Sequence, residues 1–289
     1  MKGAGYIVLA AVLWGILGPV ARLAFAEGIA PLEVAFWRAV IAGGAFVAHA
    51  VVARPDRIAK RDWPGVAAFG VVGVSVFFAS YQLAVEAGGA ALASVLLYTA
   101  PVWVAVLSFV FLRERMTALK VVAVALTIVG VAGIALGGGG SVRVTTAALG
   151  WGLAAGLSYS LYYLVGKVYF TRYATSAVLA VALPLGALGL VPFVDFAPKS
   201  ALAWAALGWI GLVSTVGAFV AYAHGIRRME ATHASIVATL EPVVAGAVAF
   251  AWWGERFSLA GYLGAGLILA AVLGTILDPN RRRSDRPRP

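Results

Sequence analysis

Two stretches of the chain carry one pattern: residues 90–115 are AALASVLLYTAPVWVAVLSFVFLRER and residues 231–256 are ATHASIVATLEPVVAGAVAFAWWGER. A serine near the start, a proline in the middle and a Glu-Arg pair at the end occupy the same places in both. A shift of 141 residues superposes the two stretches without a gap. The chain therefore contains an internal repeat of the kind that many membrane proteins show.

The repeat extends beyond these stretches, because residues 63–136 align with residues 204–277 at the same shift and without a gap. Identical pairs along this alignment include Trp63/Trp204, Gly70/Gly211, Phe78/Phe219, Tyr81/Tyr222 and Gly133/Gly274. Membrane composition alone does not produce an ungapped match of this length. We interpret the chain as the duplication of a unit of five apolar segments.

The composition places the chain in a membrane. Of its 289 residues, 62% are apolar and only 12% are Asp, Glu, Lys or Arg, and the mean hydropathy is +0.95. A soluble domain carries about a quarter charged residues, so this chain cannot build a surface that faces water on all sides. It contains no cysteine, which excludes disulfides, thiolate metal sites and cysteine nucleophiles.

Apolar runs separated by charged or Pro/Gly-rich breaks predict ten transmembrane helices. The runs are continuous and lack the alternation of apolar and polar residues that strands of a membrane β-barrel show. The predicted spans are residues 3–26, 32–53, 64–86, 90–112, 117–136, 147–168, 176–194, 203–226, 231–253 and 259–277.

The basic residues predict the orientation of these spans. If the N-terminus is cytoplasmic, 17 basic residues lie on the cytoplasmic side, against Arg143, Lys199 and Arg256 on the other. The excess of Lys and Arg on the cytoplasmic side predicts that both termini of this multi-pass protein lie in the cytoplasm. The net charge of +10 is thereby explained by topology, and no nucleic-acid partner is expected.

Because five is an odd number, the second copy enters the membrane from the opposite side. We predict an all-α integral membrane protein with ten transmembrane helices, arranged as two inverted five-helix repeats around a central cavity. Residues 1–141 and 142–278 form the repeats, and residues 279–289 form a basic cytoplasmic tail. In such a fold, exchanging the conformations of the two copies opens the cavity to either face in turn, which is typical of secondary transporters.

Several motifs resemble the drug/metabolite transporter superfamily. In the first copy they are Tyr81-x-x-Ala84, Ala90-Ala91-Leu92-Ala93-Ser94, Leu97-Tyr98-Thr99-Ala100-Pro101 and Leu112-Arg113-Glu114-Arg115; in the second they are Tyr222, Ala234-Ser235, Glu241-Pro242 and Gly254-Glu255-Arg256. The resemblance covers essentially the whole chain. It implies a ten-helix exporter of the bacterial inner membrane that moves amino acids, metabolites or cationic drugs without ATP.

Pro101 and Pro242 fall in the middle of the fourth and ninth spans. There each proline removes a backbone donor and frees a carbonyl one turn earlier, so we expect a hinge or a cavity at each. Ser94 and Ser235 precede them in small-residue pairs, which allow close helix packing and also suit contact with a substrate.

Ionisable groups inside the membrane are costly and therefore point to partners or function. The candidates for coupling or charge recognition are Arg38, His224 and Glu241. Glu241 stands where the first copy has Ala100, so the repeat does not require it; it is either a proton site or an anchor for a substrate amino group. Arg38 pairs either with a substrate carboxylate or with Glu33 or Glu241.

Aromatic and polar side chains near the middle of the bilayer indicate a cavity, because Tyr and Trp usually lie at the membrane interfaces. For any single residue, hydrogen bonding between helices explains its position equally well. The candidates for substrate contact are Trp14, Phe78, Tyr81, Gln82, Ser94, Tyr98, Trp103, Ser158, Tyr159, Tyr163, Tyr222 and Ser235.

A cavity of rings and hydroxyls with few charges suits a small amphipathic solute. An amino acid with an apolar or aromatic side chain fits best, since rings contact its side chain and polar groups bind its head. Cationic aromatic drugs also fit through cation–π contact. A nucleotide-sugar fits less well because the candidates offer little positive charge for a diphosphate.

Other classes of function find little support in the sequence. No Gly-x-Ser-x-Gly elbow, His-Glu-x-x-His zinc motif or phosphate-binding Gly-x-x-x-x-Gly-Lys-Ser/Thr loop occurs, so we expect neither an intramembrane enzyme nor a cofactor or metal. The expected partners are a small-molecule substrate and the lipid bilayer. Nothing in the sequence indicates an oligomeric state.

Overall fold

The structure is a computed structural model that describes residues 2–137, 143–254 and 256–278. These residues form fourteen α-helices and no strand. The helices are α1 (Lys2–Ala26), α2 (Pro31–Ala53), α3 (Trp63–Ala68), α4 (Phe77–Gly88), α5 (Ala90–Leu97), α6 (Ala100–Phe111), α7 (Ala118–Leu136), α8 (Thr146–Arg172), α9 (Thr175–Leu190), α10 (Ala201–Gly211), α11 (Ala218–Ile226), α12 (Ala231–Ala238), α13 (Glu241–Trp253) and α14 (Leu259–Leu277).

These helices make ten spans, which confirms the predicted fold class of an all-α membrane protein. Four spans consist of two helices each: α3 with α4, α5 with α6, α10 with α11, and α12 with α13. Within the described residues, nine spans are long and apolar enough to cross a membrane. The tenth is α8, whose 27 residues include Ser158, Tyr159, Ser160, Tyr162 and Tyr163, so it is long enough but more polar.

The packing of the helices follows the repeat. α1 packs along α11, and its repeat equivalent α8 packs along α4. α2 packs against its own equivalent α9, and α7 packs against its own equivalent α14. This exchange of partners is what a two-fold relation between inverted copies requires, and it places α1, α8 and the broken spans around the centre.

The third and eighth spans each contain a π-helical segment at equivalent places, Phe69–Val76 and Leu212–Gly217. A π turn adds a residue to the helical repeat and shifts the register of the residues after it. Ser75 therefore points away from the centre and donates a hydrogen bond to the carbonyl of Gly186, 2.8 Å away. Phe78 and Gln82, which come after the π segment, line the central cavity.

Glycines allow the close crossing of α7 and α14. A Cβ at Gly130 would lie 2.6 Å from the carbonyl oxygen of Gly264, and a Cβ at Gly133 would lie 2.7 Å from that of Ala260. Since membrane helices associate without a hydrophobic drive, close backbone packing of this kind contributes to their attraction.

The two ends of the bundle differ, because one is closed and the other is open. All eight residues of α12 are buried where it packs against α6, α7 and α8. In its repeat equivalent α5, Ala93 alone is buried among residues 92–97. The closed end carries the start of α1 and most of the basic loops, and we call it the basic end; the central cavity opens at the opposite end.

Candidate functional site

The central cavity has a volume of about 600 Å³, a size typical of small-molecule sites. Its mouth lies between the last turns of α1, α7 and α13 and the first turns of α2, and its floor lies at the breaks in the fourth and ninth spans. The lining side chains most relevant to binding are Trp14, Arg22, Arg38, Phe77, Phe78, Tyr81, Gln82, Ser94, Tyr98, Tyr159, Tyr162, Phe219, Glu241, Trp253 and Phe257.

The helix breaks place a tyrosine and a carboxylate on the cavity floor. α5 ends at Leu97 and α6 begins at Ala100, so Tyr98 lies in the gap. α12 ends at Ala238 and α13 begins with Glu241. Prolines occupy the second position of α6 and of α13, where the missing backbone donor costs nothing because first-turn N–H groups have no partner within the helix.

Glu241 and Arg38 bring opposite charges into the same cavity. The hydroxyl of Tyr159 donates a hydrogen bond to Oε2 of Glu241 across 3.4 Å. Nε of Arg38 donates to Oγ1 of Thr215 at 2.8 Å, and its guanidinium lies 5.4 Å from the ring centre of Phe78. These contacts leave carboxylate and guanidinium groups able to bind a ligand in the cavity.

Glu33 is not a partner of Arg38. Its carboxylate pairs with Nζ of Lys199 at 2.5 Å and accepts hydrogen bonds from Trp37 and from the backbone of Ala197. Glu33 therefore fastens the loop before α10 to the start of α2. Of the partners considered from sequence for Arg38, this leaves Glu241 and a substrate carboxylate.

Aromatic rings form the cavity wall between the two charges. Phe77 stacks on Tyr159 with their ring centres 5.2 Å apart, and Tyr162 stacks on Phe219 at 5.8 Å. Trp14 meets Phe219 edge to face at 6.0 Å. The packed rings form a stiff apolar surface, which favours contact with a flat or branched apolar group.

Ten of the residues singled out from sequence line this cavity. They are Trp14, Arg38, Phe78, Tyr81, Gln82, Ser94, Tyr98, Tyr159, Glu241 and Pro242. Within this group, the hydroxyls of Tyr81 and Ser94 lie 3.3 Å apart, so the third and fourth spans contact each other beside the floor.

The other seven lie outside the lining: Pro101, Trp103, Ser158, Tyr163, Tyr222, His224 and Ser235. Tyr163 sits one layer behind the wall, where its hydroxyl donates to that of Tyr159 at 3.4 Å. The hydroxyl of Tyr222 donates to the carbonyl of Tyr162 at 2.8 Å, and that of Ser235 donates to the carbonyl of Thr232. The bond of Tyr222 joins α11 to α8, whereas the bonds of Tyr163 and Ser235 lie within α8 and within α12.

His224 and Pro101 are also held away from the cavity. Nδ1 of His224 lies 2.7 Å from the carbonyl oxygen of Val220, and its ring packs against Tyr6 near the basic end. Pro101 is buried in the first turn of α6.

Some lining residues were not predicted from sequence, including Phe77, Phe219, and Trp253 and Phe257 at the mouth. Phe219 is the repeat equivalent of Phe78, so the repeat itself contained the signal. At the mouth, the guanidinium of Arg22 lies 4.4 Å from the ring centre of Trp253. Among the described residues, no group of three or more His, Asp or Glu side chains is placed to hold a metal ion.

Comparison with known proteins gives one family across the chain. Residues 1–136 and 146–277 both match the EamA-like transporter family. A probable terminal-alkyne amino-acid exporter of Streptantibioticus cattleyicolor is 32% identical over 286 residues, covering 94% of this chain and 92% of that protein. An uncharacterized transporter of Archaeoglobus fulgidus is 31% identical over 274 residues, covering 94% and 95%.

More distant relatives match over an equally large share of the chain. An uncharacterized inner membrane transporter of Salmonella typhimurium is 26% identical over 97% of both chains. A solved crystal structure superposes with a TM-score of 0.82 over 98% of this chain and 99% of the other, at 19% sequence identity. The fold and the family thus extend over nearly the entire length.

Proposed function

Because the chain belongs to the EamA-like transporter family and is a multi-pass membrane transporter, not an enzyme, we propose that it exports amino acids with apolar or aromatic side chains. Transport is secondary and proceeds by alternating access of the central cavity. One relative is named as a probable amino-acid exporter, which supports this substrate class.

The observation that carries the proposal is that Glu241 and Arg38 line one cavity. An amino acid presents an ammonium and a carboxylate on the same carbon. The ammonium needs a negatively charged hydrogen-bond acceptor, and the carboxylate needs a positively charged hydrogen-bond donor. Glu241, oriented by Tyr159, binds the ammonium. Arg38 binds the carboxylate, and charge-assisted hydrogen bonds of this type are about twice as strong as neutral ones.

The aromatic wall selects the side chain of the substrate. Phe77, Tyr159, Tyr162 and Phe219 form two stacked pairs that present apolar surface to the cavity. A charged or strongly polar side chain would lose its hydration there without gaining a partner. An apolar or aromatic side chain is stabilised by burial against the rings.

The same two charges disfavour the other substrate classes. A cationic aromatic drug would be attracted by Glu241 but repelled by Arg38. The diphosphate of a nucleotide-sugar would bring two or more negative charges next to Glu241. A zwitterion satisfies both side chains at once.

We further propose that the basic end faces the cytoplasm of a bacterium and that the protein lies in the inner membrane with both termini inside. Arg57, Arg61, Arg172 and Arg227 belong to loops and helix termini at this end, in accord with the positive-inside rule. The basic tail, residues 279–289, lies outside the described residues. The cavity then opens away from the cytoplasm, which is the state from which an exporter releases its substrate.

A competition assay with reconstituted protein tests the substrate class. Uptake of a labelled aromatic amino acid into proteoliposomes is measured in the presence of unlabelled compounds. These are apolar and aromatic amino acids, quaternary aromatic amines and nucleotide-sugars. We expect the amino acids alone to compete well. Competition by the amines or nucleotide-sugars, without competition by amino acids, would overturn the proposal.

The variant Arg38→Gln separates a zwitterion from a cation. We expect it to weaken amino-acid binding about tenfold, the effect of losing one charge-assisted contact, and to improve binding of a decarboxylated amine. The exposed loop variant Arg57→Gln is the control and should change neither. Equal losses for both ligands would contradict a carboxylate-binding role for Arg38.

A further inference from the structure

The turn between α11 and α12, residues 227–230, is held shut by side chains from three other elements at the basic end. Glu114 comes from the loop before α7, Lys120 from the first turn of α7, and Lys167 from the last part of α8. We call these three side chains with the turn the latch. Each contacts a different part of the turn or of the two helix termini that flank it.

Glu114 caps the first turn of α12. Its carboxylate accepts hydrogen bonds from the backbone N–H of Ala231 at 2.7 Å and of Thr232 at 3.2 Å, and from the hydroxyl of Thr232 at 2.7 Å. The side chain is 6% exposed. A carboxylate at the start of a helix satisfies N–H groups that otherwise lack partners and is favoured by the helix dipole.

The two lysines hold the rest of the turn. Nζ of Lys167 donates to the carbonyl of Ile226, the last residue of α11, at 3.2 Å and to that of Met229, in the turn, at 2.8 Å. Nζ of Lys120 forms an ion pair with Glu230 at 2.6 Å. Since Glu114 and Lys120 belong to the first repeat and the turn belongs to the second, these contacts tie the two repeats together.

Among the described residues, the equivalent turn at the open end, residues 86–89, lacks such a set of contacts; Glu255, the repeat equivalent of Glu114, lies outside them. Arg143 donates from its side chain to the carbonyl of Glu86 at 3.0 Å and from its backbone to that of Gly88 at 3.1 Å, and its side chain is exposed. The repeat equivalent of Lys120 is Gly261, and the last residues of α1, 23–26, contain no basic residue. The two ends of the bundle therefore close with different chemistry.

We propose that the latch is the gate of the basic end, and that Glu114, Lys120 and Lys167 are positioning residues that bias the unloaded protein toward the state that opens at the opposite end. Opening of the basic end requires the turn to leave all three side chains. In the part of the chain that the structure describes, no lysine contacts the equivalent turn at the other end, so the two access states of the empty carrier are unequal in free energy. This inference rests on the proposed alternating access and is independent of the substrate.

Two reporters at equivalent positions measure the two states directly. Ser108, in α6, is fully buried at the basic end, while its repeat equivalent Ala249, in α13, lines the open part of the cavity. The natural chain has no cysteine, so Ser108→Cys and Ala249→Cys each create a single thiol. Their labelling rates by a bulky charged thiol reagent report on opening at the basic end and at the opposite end.

Loss of the latch should change the two reporters in opposite directions. In the full-length protein without substrate, we expect Glu114→Ala and Lys167→Ala to raise the labelling rate of Ser108→Cys about tenfold and to lower that of Ala249→Cys. Glu114→Gln keeps one acceptor oxygen and should have a smaller effect. Arg115→Ala, an exposed neighbour of Glu114, is the matched control and should change neither rate.

The paired readout keeps the outcomes distinct. A variant that unfolds would label faster at both reporters. If Glu114→Ala unfolds, the labelling rates of Glu114→Gln and Lys167→Ala test the proposal instead. The proposal is overturned if, in every folded latch variant, Ser108→Cys is labelled as slowly as it is with the latch intact. Opposite changes at the two reporters in a protein that binds no amino acid would refute the proposed substrate while leaving the latch intact. Amino-acid exchange with unchanged reporters would refute only the latch.

Discussion

At the scale of single residues, recognition depends on one carboxylate that the internal repeat does not require. Glu241 begins α13, and the equivalent residue in the first copy is Ala100, which begins α6. A side chain needed for the helix break itself would be expected in both copies. The difference between the copies therefore assigns Glu241 to the cavity, where it faces Tyr159.

Glu241→Gln is expected to weaken amino-acid binding about tenfold or more, because a neutral amide cannot compensate the charge of the substrate ammonium. Binding is measured by displacement of a labelled aromatic amino acid from purified protein. Glu27→Gln, at an exposed loop position, is the control. Unchanged affinity in Glu241→Gln would remove this residue from the site, and an unchanged pH profile of transport would remove it as a proton site.

Tyr159→Phe is expected to weaken amino-acid binding about fivefold, less than Glu241→Gln does, since it removes one neutral hydroxyl that orients Glu241. The phenyl ring should preserve the stacking on Phe77. The affinity for an aromatic amino acid, measured as for Glu241→Gln, checks this. A loss as large as that of Glu241→Gln would mean that the hydroxyl contacts the substrate itself.

The sequence predicted most of the floor of the site and less of its wall. Glu241 and Arg38 stand out because an ionisable group in an apolar run needs an explanation. Tyr222 carries the same signal from sequence as Tyr159, yet it binds the backbone of Tyr162 and lies behind the lining. The direction in which a tyrosine points depends on tertiary packing, which the pattern of one span does not contain.

At the scale of elements, the fourth and ninth spans are each broken into two helices, and the breaks lie at the cavity floor. The fourth and ninth spans were expected to be helices with a central proline. The structure instead ends one helix and begins another, with Thr99 and Leu240 preceding the new helices and the prolines in their first turns. A membrane protein tolerates irregular backbone at the cavity floor because it lines a cavity there.

Pro242→Ala tests whether the second break is a hinge. Alanine restores the backbone donor and permits a continuous helix from α12 into α13, so we expect the rate of amino-acid exchange to fall severalfold while the affinity changes little. Exchange in proteoliposomes and equilibrium binding give the two quantities. Loss of affinity without loss of rate at saturation would argue for a local role beside Glu241.

Close packing of α7 on α14 makes a second prediction. A Cβ at Gly264 would collide with the backbone carbonyl of Gly130, whereas one at Gly266 would meet no atom within 4 Å. Gly264→Ala should therefore lower the melting temperature of the purified protein, since overpacking costs about 1–3 kcal/mol. Gly266→Ala should leave it unchanged. Equal melting temperatures for the two variants would show that this crossing contributes little to stability.

Helix ends were harder to predict than helix positions. The sixth span was expected over residues 147–168, but α8 continues to Arg172. The apolar pattern stops near Lys167, but the backbone hydrogen bonds of a helix do not require apolar side chains, and they continue α8 to Arg172. The π segments gave no sequence signal either, because an extra residue in one turn leaves apolar composition unchanged.

At the scale of the whole molecule, the duplication explains the fold but not the difference between its two ends. The two copies exchange packing partners, as in the pairs α1 with α11 and α8 with α4. Yet α12 is fully buried and α5 is not. The repeat was visible in the sequence, and it implied the inverted architecture; which end is open was not visible, because it depends on the state of the molecule and both ends are built from equivalent helices.

The central claim is that one cavity carries a zwitterionic amino acid across the membrane by opening to each side in turn. Counterflow tests it most directly: proteoliposomes loaded with an unlabelled aromatic amino acid are diluted into a trace of the labelled compound, and internal label is followed with time. We predict a transient accumulation above equilibrium that saturates with concentration and is lost in Glu241→Gln. Uptake that is linear in concentration and indifferent to the internal amino acid would contradict the account.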